Sequence, residues 1–231
     1  LRAKPRAERR LALVLSDYPA RGGRTGYAVG LDTAASAAGI LNLLAAEGYD
    51  TGRHDWQASD IERLLRGDAE HIDVPATGSL SPSLQRQLIE TWGEPADAFR
   101  LPVLRCGKVS VLLQPDRGAM GDRKSGYHDT GCPPSHAYVA AYAWLRDRID
   151  ALIHLGTHGT LEWLPGKALA LSEECWPEVV LGPLPVIYPF IVNNPGEAVQ
   201  AKRRLGAVTI GHLTPPLSAA GLHGPLGELE G

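Results

Sequence analysis

The sequence predicts an α/β fold, a mainly parallel, doubly wound sheet with flanking helices and a helical insertion. Short apolar runs of the kind that form buried parallel strands recur along the chain. Segments with apolar residues at α-helical spacing alternate with them, and polar, glycine-bearing connections follow the strands. The 231 residues suffice for one domain with a full α/β core, and a 44 % hydrophobic share excludes a disordered chain.

Leu11-Ala12-Leu13-Val14-Leu15 reads as the first buried strand, between a charged segment and the turn-forming stretch Ser16 to Gly30. Leu31 to Glu47 reads as a helix, because Leu31, Ala34, Ala35, Ala38, Leu41 and Ala45 form one stripe and Gly48 sits where a left-handed C-cap belongs. The span 50–100 reads as a mainly helical insertion. Helices are expected near Ser59 to Arg66 and Ser81 to Trp92, each opening on a serine able to cap free amides, and no strand is expected there. Val109 to Leu113 restores a strand, followed by a long polar loop from Gln114 to Pro134 of the kind that tends to carry function.

Ser135 caps a helix running to Arg148, and Ala151 to Leu155 is a third strand. Val186 to Val192 is a fourth, with Pro189 placing it at a sheet edge or a bulge. Asn194 as cap, Pro195 in the first helical position and Glu197 closing a capping box start the next helix; Lys202-Arg203-Arg204 complement its negative end and Gly206 stops it. Ala207 to Ile210 is a fifth strand.

Composition narrows the functional classes. Formal charge is -3, with five basic side chains against Glu8 in the first ten residues, so the remainder is acidic and a nucleic-acid surface is not expected. No apolar run reaches the ~18 residues that cross a bilayer. Cys106, Cys132 and Cys175 form no C-x-x-C pair and suit a reducing compartment, and a start at Leu1 with Met120 as the one methionine suggests a piece of a longer chain.

Chemistry is expected in the loops beyond the carboxyl ends of the strands. After the third strand, His154, His158 and Glu162 recur every four residues; Gly156 and Gly159 favour a loop leading into a short helix near Thr160. Imidazole and carboxylate bind borderline divalent ions, and an unligated carboxylate can take protons. The competing reading of each histidine is a hydrogen-bonded structural group. In the long loop, His128 and Asp129 are candidates, as is His136, where the positive end of a helix favours a neutral ring; solvated loop residues would look the same. Arg21-Gly22-Gly23-Arg24-Thr25-Gly26 resembles an anion cradle suited to carboxylates or carboxamides on an organic ligand, or is an exposed turn. The P-loop lysine is missing, and no G-x-S-x-G elbow occurs.

His154 to Lys167, Tyr188 to Glu197, Gln200 to Arg204 and His212 to Leu217 together closely resemble the large subunit of aerobic cobaltochelatase, in the family that also holds the large subunit of magnesium chelatase. Ser16 to Pro19, Gln114 to Gly118 and Tyr127 to Thr130 extend the resemblance from about Leu11 to the C-terminus. It implies that residues 1–231 are one α/β domain excised from a longer cytoplasmic subunit, inactive alone, taking part in ATP-driven insertion of Co(II) into a cobalamin-precursor corrinoid, hydrogenobyrinic acid a,c-diamide. ATP and Mg(II) would sit on separate AAA+ partner subunits. Such chemistry needs a base for the inner N–H protons of the macrocycle, ligands for a partly dehydrated metal and a pocket that bends the ring.

The resemblance assigns Glu162 as base or delivery ligand, His154 and His158 as metal-facing imidazoles with His158 also catalytic, and Arg21, Arg24, His128, Asp129 and His136 to the tetrapyrrole pocket. Magnesium insertion into protoporphyrin IX is the alternative within the family, although magnesium prefers oxygen ligands. A docking or scaffold domain with structural histidines is another, and a free-standing zinc hydrolase a third. A catalytic segment should gather His154, His158 and Glu162 around one accessible cleft; a scaffold would bury or scatter them.

Overall fold

The computed structural model describes residues 3–17, 25–26, 30–76, 80–118, 129–156, 159–189 and 195–211. Among the described residues seven strands form one sheet: β1 (Leu11–Leu15), β2 (Glu70–Pro75), β3 (Ala98–Cys106), β4 (Val109–Leu113), β5 (Ala151–Leu155), β6 (Val186–Pro189) and β7 (Val208–Ile210). Their order is β2-β3-β4-β1-β5-β6-β7. From β4 to β7 every pairing is parallel, with Leu13 in register with Val111 on one side and Ile153 on the other. The central strands predicted from apolar runs therefore pair as expected.

Among the described residues six helices accompany the sheet: α1 (Thr33–Ala46), α2 (Ala58–Leu65), α3 (Pro82–Trp92), α4 (His136–Arg146), α5 (Trp176–Leu181) and α6 (Pro195–Leu205). The period of two along β1 explains the layers. Leu11, Leu13 and Leu15 pack with Ala37, Ala38 and Leu41 of α1 and Ile61 and Leu64 of α2. Ala12 and Val14 point the other way, into a core with Leu84 of α3, Tyr138 and Tyr142 of α4, Trp176 of α5 and Ala201 of α6. Helices on both faces bury β1 and β5 completely, which is why these two strands are apolar at nearly every position.

Three local expectations are corrected. The span 50–100 carries, besides α2 and α3, the strand β2 and the start of β3, which extend the sheet antiparallel from β4. They escaped notice because β2 buries only Val74 and β3 alternates buried Leu101 and Val103 with exposed or half-exposed Arg100, Pro102 and Arg105, so neither shows a continuous apolar run. Gln57, not Ser59, precedes α2, its amide donating to Asp60 Oδ2 at 3.0 Å. And β6 is internal, between β5 and β7; Pro189 is its last residue, beyond the last β5 partner, where the missing N–H costs least. Ser81 and Ser135 cap α3 and α4, and Gly48 and Gly206 follow α1 and α6 at φ 82° and 60°, all as the sequence predicts.

Candidate functional site

The carboxyl ends of β4, β1 and β5 are zipped together. The amide of Gln114 donates to Leu15 O and that of Ser16 to Leu155 O, both at 2.9 Å, continuing the ladder one residue past each strand. Gly156 follows immediately at φ 142°, and a Cβ there would lie 2.3 Å from Cβ of Ser16, so only glycine lets the chain turn off β5 this close to β1.

Strand parity places His154 beside Leu152, on the sheet face that packs against α4, α5 and α6. Its ring meets Tyr188 of β6 edge to face, with centroids 4.8 Å apart. The chain then forms a short 3-10 turn, Leu161–Trp163, which carries Glu162 back toward the same point. Gly159 marks where they converge: a Cβ added there would lie 2.8 Å from Tyr188 Oη, 3.0 Å from His154 Nε2 and 3.1 Å from Glu162 Oε2. Tyr188 Oη donates to Glu162 Oε1 across a long 3.5 Å. Arg204 of α6 fixes the turn, donating from Nη1 to Glu162 O at 2.6 Å and from Nε to Lys167 O at 3.1 Å.

His154 and Glu162 are 1 % and 0 % exposed. Among the described residues, neither ring nitrogen of His154 and not Glu162 Oε2 has a hydrogen-bond partner. Such groups are costly in an apolar interior unless something binds them. Burial holds the His154 imidazolium down to about 3, so the ring is neutral. Burial pushes Glu162 up to about 8; the Glu197 carboxylate on α6 adds to this, while bonds from Tyr188 and from backbone oppose it. A neutral imidazole beside a carboxyl that titrates near neutrality can hand a metal across and take up a proton.

The two groups have opposite effects on stability. Glu162, raised in the fold, contributes fully below its ordinary 4.5 and loses that contribution as pH rises through about 8. His154, depressed in the fold, contributes above its ordinary 6.5 and loses it as pH falls through about 3. The Glu162→Gln variant is therefore expected to gain in melting temperature on the wild type as pH rises from about 5 to about 8, and to show no such gain below about 4.5. A difference independent of pH would show that Glu162 is not held neutral by burial.

Of the other candidates, Arg21, Arg24, His128 and His158 lie outside the described residues. Asp129 is turned on its own backbone: Oδ1 accepts from Gly131 N at 2.8 Å, and its carbonyl accepts from Arg117 Nη2 at 2.8 Å. His136, first in α4, bonds through Nε2 to Gly93 O at 2.8 Å, at the end of α3, and not to His154 or Glu162. Among the described residues the structure thus gathers His154 and Glu162 at one buried point and leaves His136 and Asp129 in local contacts. No three His, Cys, Asp or Glu side chains are grouped as a metal site among the described residues.

Sequence reasoning missed Tyr188, Gln114 and Arg204. Tyr188 read as a strand residue, Arg204 as a helix-end charge, and Gln114 as the start of a loop. Glu197, read as half of a capping box, is 1 % exposed and coupled to Glu162. The thiols of Cys106 and Cys175 are buried, and Cys132 is half-buried. No helix among the described residues is long and apolar enough to cross a membrane.

The family model described as CobN/Magnesium Chelatase matches residues 1–231. The aerobic cobaltochelatase subunit CobN of Pseudomonas aeruginosa is 48 % identical over 100 % of this chain and 20 % of that protein. A magnesium-chelatase subunit from Cereibacter sphaeroides is 35 % identical, again over 100 % of this chain and 21 % of its own length. Among solved structures, the catalytic subunit of cobaltochelatase from Mycobacterium tuberculosis superposes with a TM-score of 0.77 at 38 % identity, covering 99 % of this chain and 22 % of that one. The chain spans about a fifth of the length of the curated relatives it matches.

Proposed function

Because this chain belongs to the CobN/magnesium chelatase family, we propose that it is part of the large, tetrapyrrole-binding subunit of an ATP-dependent cobaltochelatase, inserting Co(II) into hydrogenobyrinic acid a,c-diamide in aerobic cobalamin biosynthesis. The observation that carries the proposal is the convergence of His154, Glu162 and Tyr188 at Gly159, at the carboxyl ends of β5 and β6.

In this reading the metal-free site keeps Glu162 protonated. An arriving dication would lower its pKa, release that proton to solvent and make the carboxylate a ligand alongside His154 and His158. As cobalt moves to the ring nitrogens the carboxylate is freed to accept an inner N–H proton, so the metal's departure and the proton's arrival are coupled at one side chain. Tyr188 steadies both groups. Arg21, Arg24, His128, Asp129 and His136 are the proposed contacts to the tetrapyrrole.

ATP and Mg(II) are assigned to AAA+ partner subunits, since this sequence holds no P-loop lysine motif, and the complex is assigned to the cytoplasm. Cobalt is favoured over magnesium by the higher identity to CobN and by the imidazole donor, which suits a borderline ion better than a hard one. The test is a paired assay on the full-length subunit with its partners and ATP. Insertion of Co(II) into hydrogenobyrinic acid a,c-diamide, with none of Mg(II) into protoporphyrin IX, is expected. The reverse result would move the chain to the magnesium branch.

One observation favours a second reading, a non-catalytic docking or scaffold role: both central side chains are buried. Against it, a purely structural histidine is normally hydrogen-bonded, and neither nitrogen of His154 is bonded to a described residue.

A further inference from the structure

We propose that Gln114 is a positioning residue for this site, holding the Gly159 peptide that forms one of its walls; the inference rests on reading the His154–Glu162 cluster as the place of metal insertion. Gln114 is the first residue past β4, is 4 % exposed, and is anchored through its own backbone to β1. Its side-chain amide reaches across the sheet face to three acceptors: Gly159 O at 2.6 Å, Tyr142 Oη at 2.7 Å and Tyr138 Oη at 3.0 Å. Two amide hydrogens thus serve three oxygens, and the tyrosine hydroxyls keep protons to pass on. Tyr138 Oη lies 2.9 Å from Thr160 Oγ1 and 3.5 Å from Gly159 O.

The carbonyl of Gly159 also accepts from Leu161 N at 2.8 Å, so this one oxygen is held from several directions. The α-carbon of the same residue faces His154 Nε2 and Glu162 Oε2. Gln114 therefore grips one side of a residue whose other side lines the cluster. The grip has something to resist. Thr160 takes φ 61°, a left-handed conformation that a β-branched residue rarely adopts, and its hydroxyl contact with Tyr138 belongs to the network that Gln114 organises. Without the amide, the turn is free to relax and carry Gly159 and Glu162 with it.

The experiment uses the full-length subunit with its partner subunits. Gln114→Met keeps the length of the side chain and removes the amide hydrogens; Gln114→Glu keeps the shape and removes them too. Tyr142→Phe takes away an acceptor of Gln114 and leaves the bond to Gly159. Both Gln114 variants are expected to lose about ten- to a hundredfold in kcat, with KM for the tetrapyrrole within about threefold, as a displacement of about 1 Å at a reacting centre would do. Tyr142→Phe, expected to lose a similar amount of thermal stability, should keep kcat within about threefold. Normal kcat in the Gln114 variants, or an equal loss of kcat in Tyr142→Phe, would overturn the positioning role. Glu162→Gln assayed in parallel separates the two ideas: if it is inactive while Gln114→Met is active, only the positioning role falls, and if it is active the reading beneath it falls as well.

Discussion

Glu162→Gln in the full-length subunit is expected to lower the rate of metal insertion by about a hundred- to ten-thousand-fold, the range for loss of a general base, while tetrapyrrole affinity changes by less than about threefold. Glutamine keeps the size of the side chain and removes both the charge that would hold the metal and the oxygen that would accept the proton. Binding should survive because a macrocycle is held by ring burial and contacts spread over several loops. The variant should also be more stable than the wild type above about pH 7, since a buried carboxyl raised to about 8 is replaced by a neutral amide. Lower activity with higher stability is a signature that a purely structural carboxylate cannot give. Rate, affinity and melting temperature measured on one preparation read it out, and a parallel fall in all three would favour the scaffold role.

Gly159→Ala is expected to be nearly as damaging, for a steric reason. The new methyl would press on Tyr188 Oη, His154 Nε2 and Glu162 Oε2 together, at 2.8, 3.0 and 3.1 Å. Each neighbour is buried, so relief requires moving the turn or the rings, at about 1–3 kcal/mol for overpacking. A shift of about 1 Å at a reacting centre costs on the order of a hundredfold in rate. Gly39→Ala on α1, where an added Cβ meets nothing within 4 Å, is the control and should leave the rate unchanged. Full insertion activity in Gly159→Ala would mean that the space beside these three side chains is not used.

The central sheet was legible because burial on both faces leaves an unmistakable mark: Leu11 to Leu15 and Ala151 to Leu155 are buried throughout and apolar at every position but His154. The antiparallel strands β2 and β3 were not, because they are wet on part of their surface and their few buried residues, Val74, Leu101, Val103 and Cys106, are interspersed with charges and a proline. The same contrast holds at the site. The spacing of His154 and Glu162 marked them as chemical groups, and a buried histidine inside an otherwise apolar strand was itself the anomaly. Their closeness to Tyr188 was invisible, since it depends on β6 lying next to β5, and the hold of Gln114 on Gly159 depends on β4 and β5 flanking β1. The contact of His136 was equally invisible: a histidine at a helix start reads as a candidate ligand, and its bond to the Gly93 carbonyl at the end of α3 depends on how α3 and α4 pack.

The most direct measurement is the position of cobalt. Crystals of the full-length subunit soaked with Co(II) and its tetrapyrrole, with data collected at the cobalt absorption edge, locate the ion by its anomalous scattering independently of any assay. The account predicts a cobalt peak within bonding distance, about 2.1 Å, of His154 Nε2 or a Glu162 carboxylate oxygen, and loss of that peak in a His154→Ala/His158→Ala variant that still binds the macrocycle. A cobalt ion bound to the tetrapyrrole-loaded subunit elsewhere, with His154 and Glu162 left without metal, would contradict it.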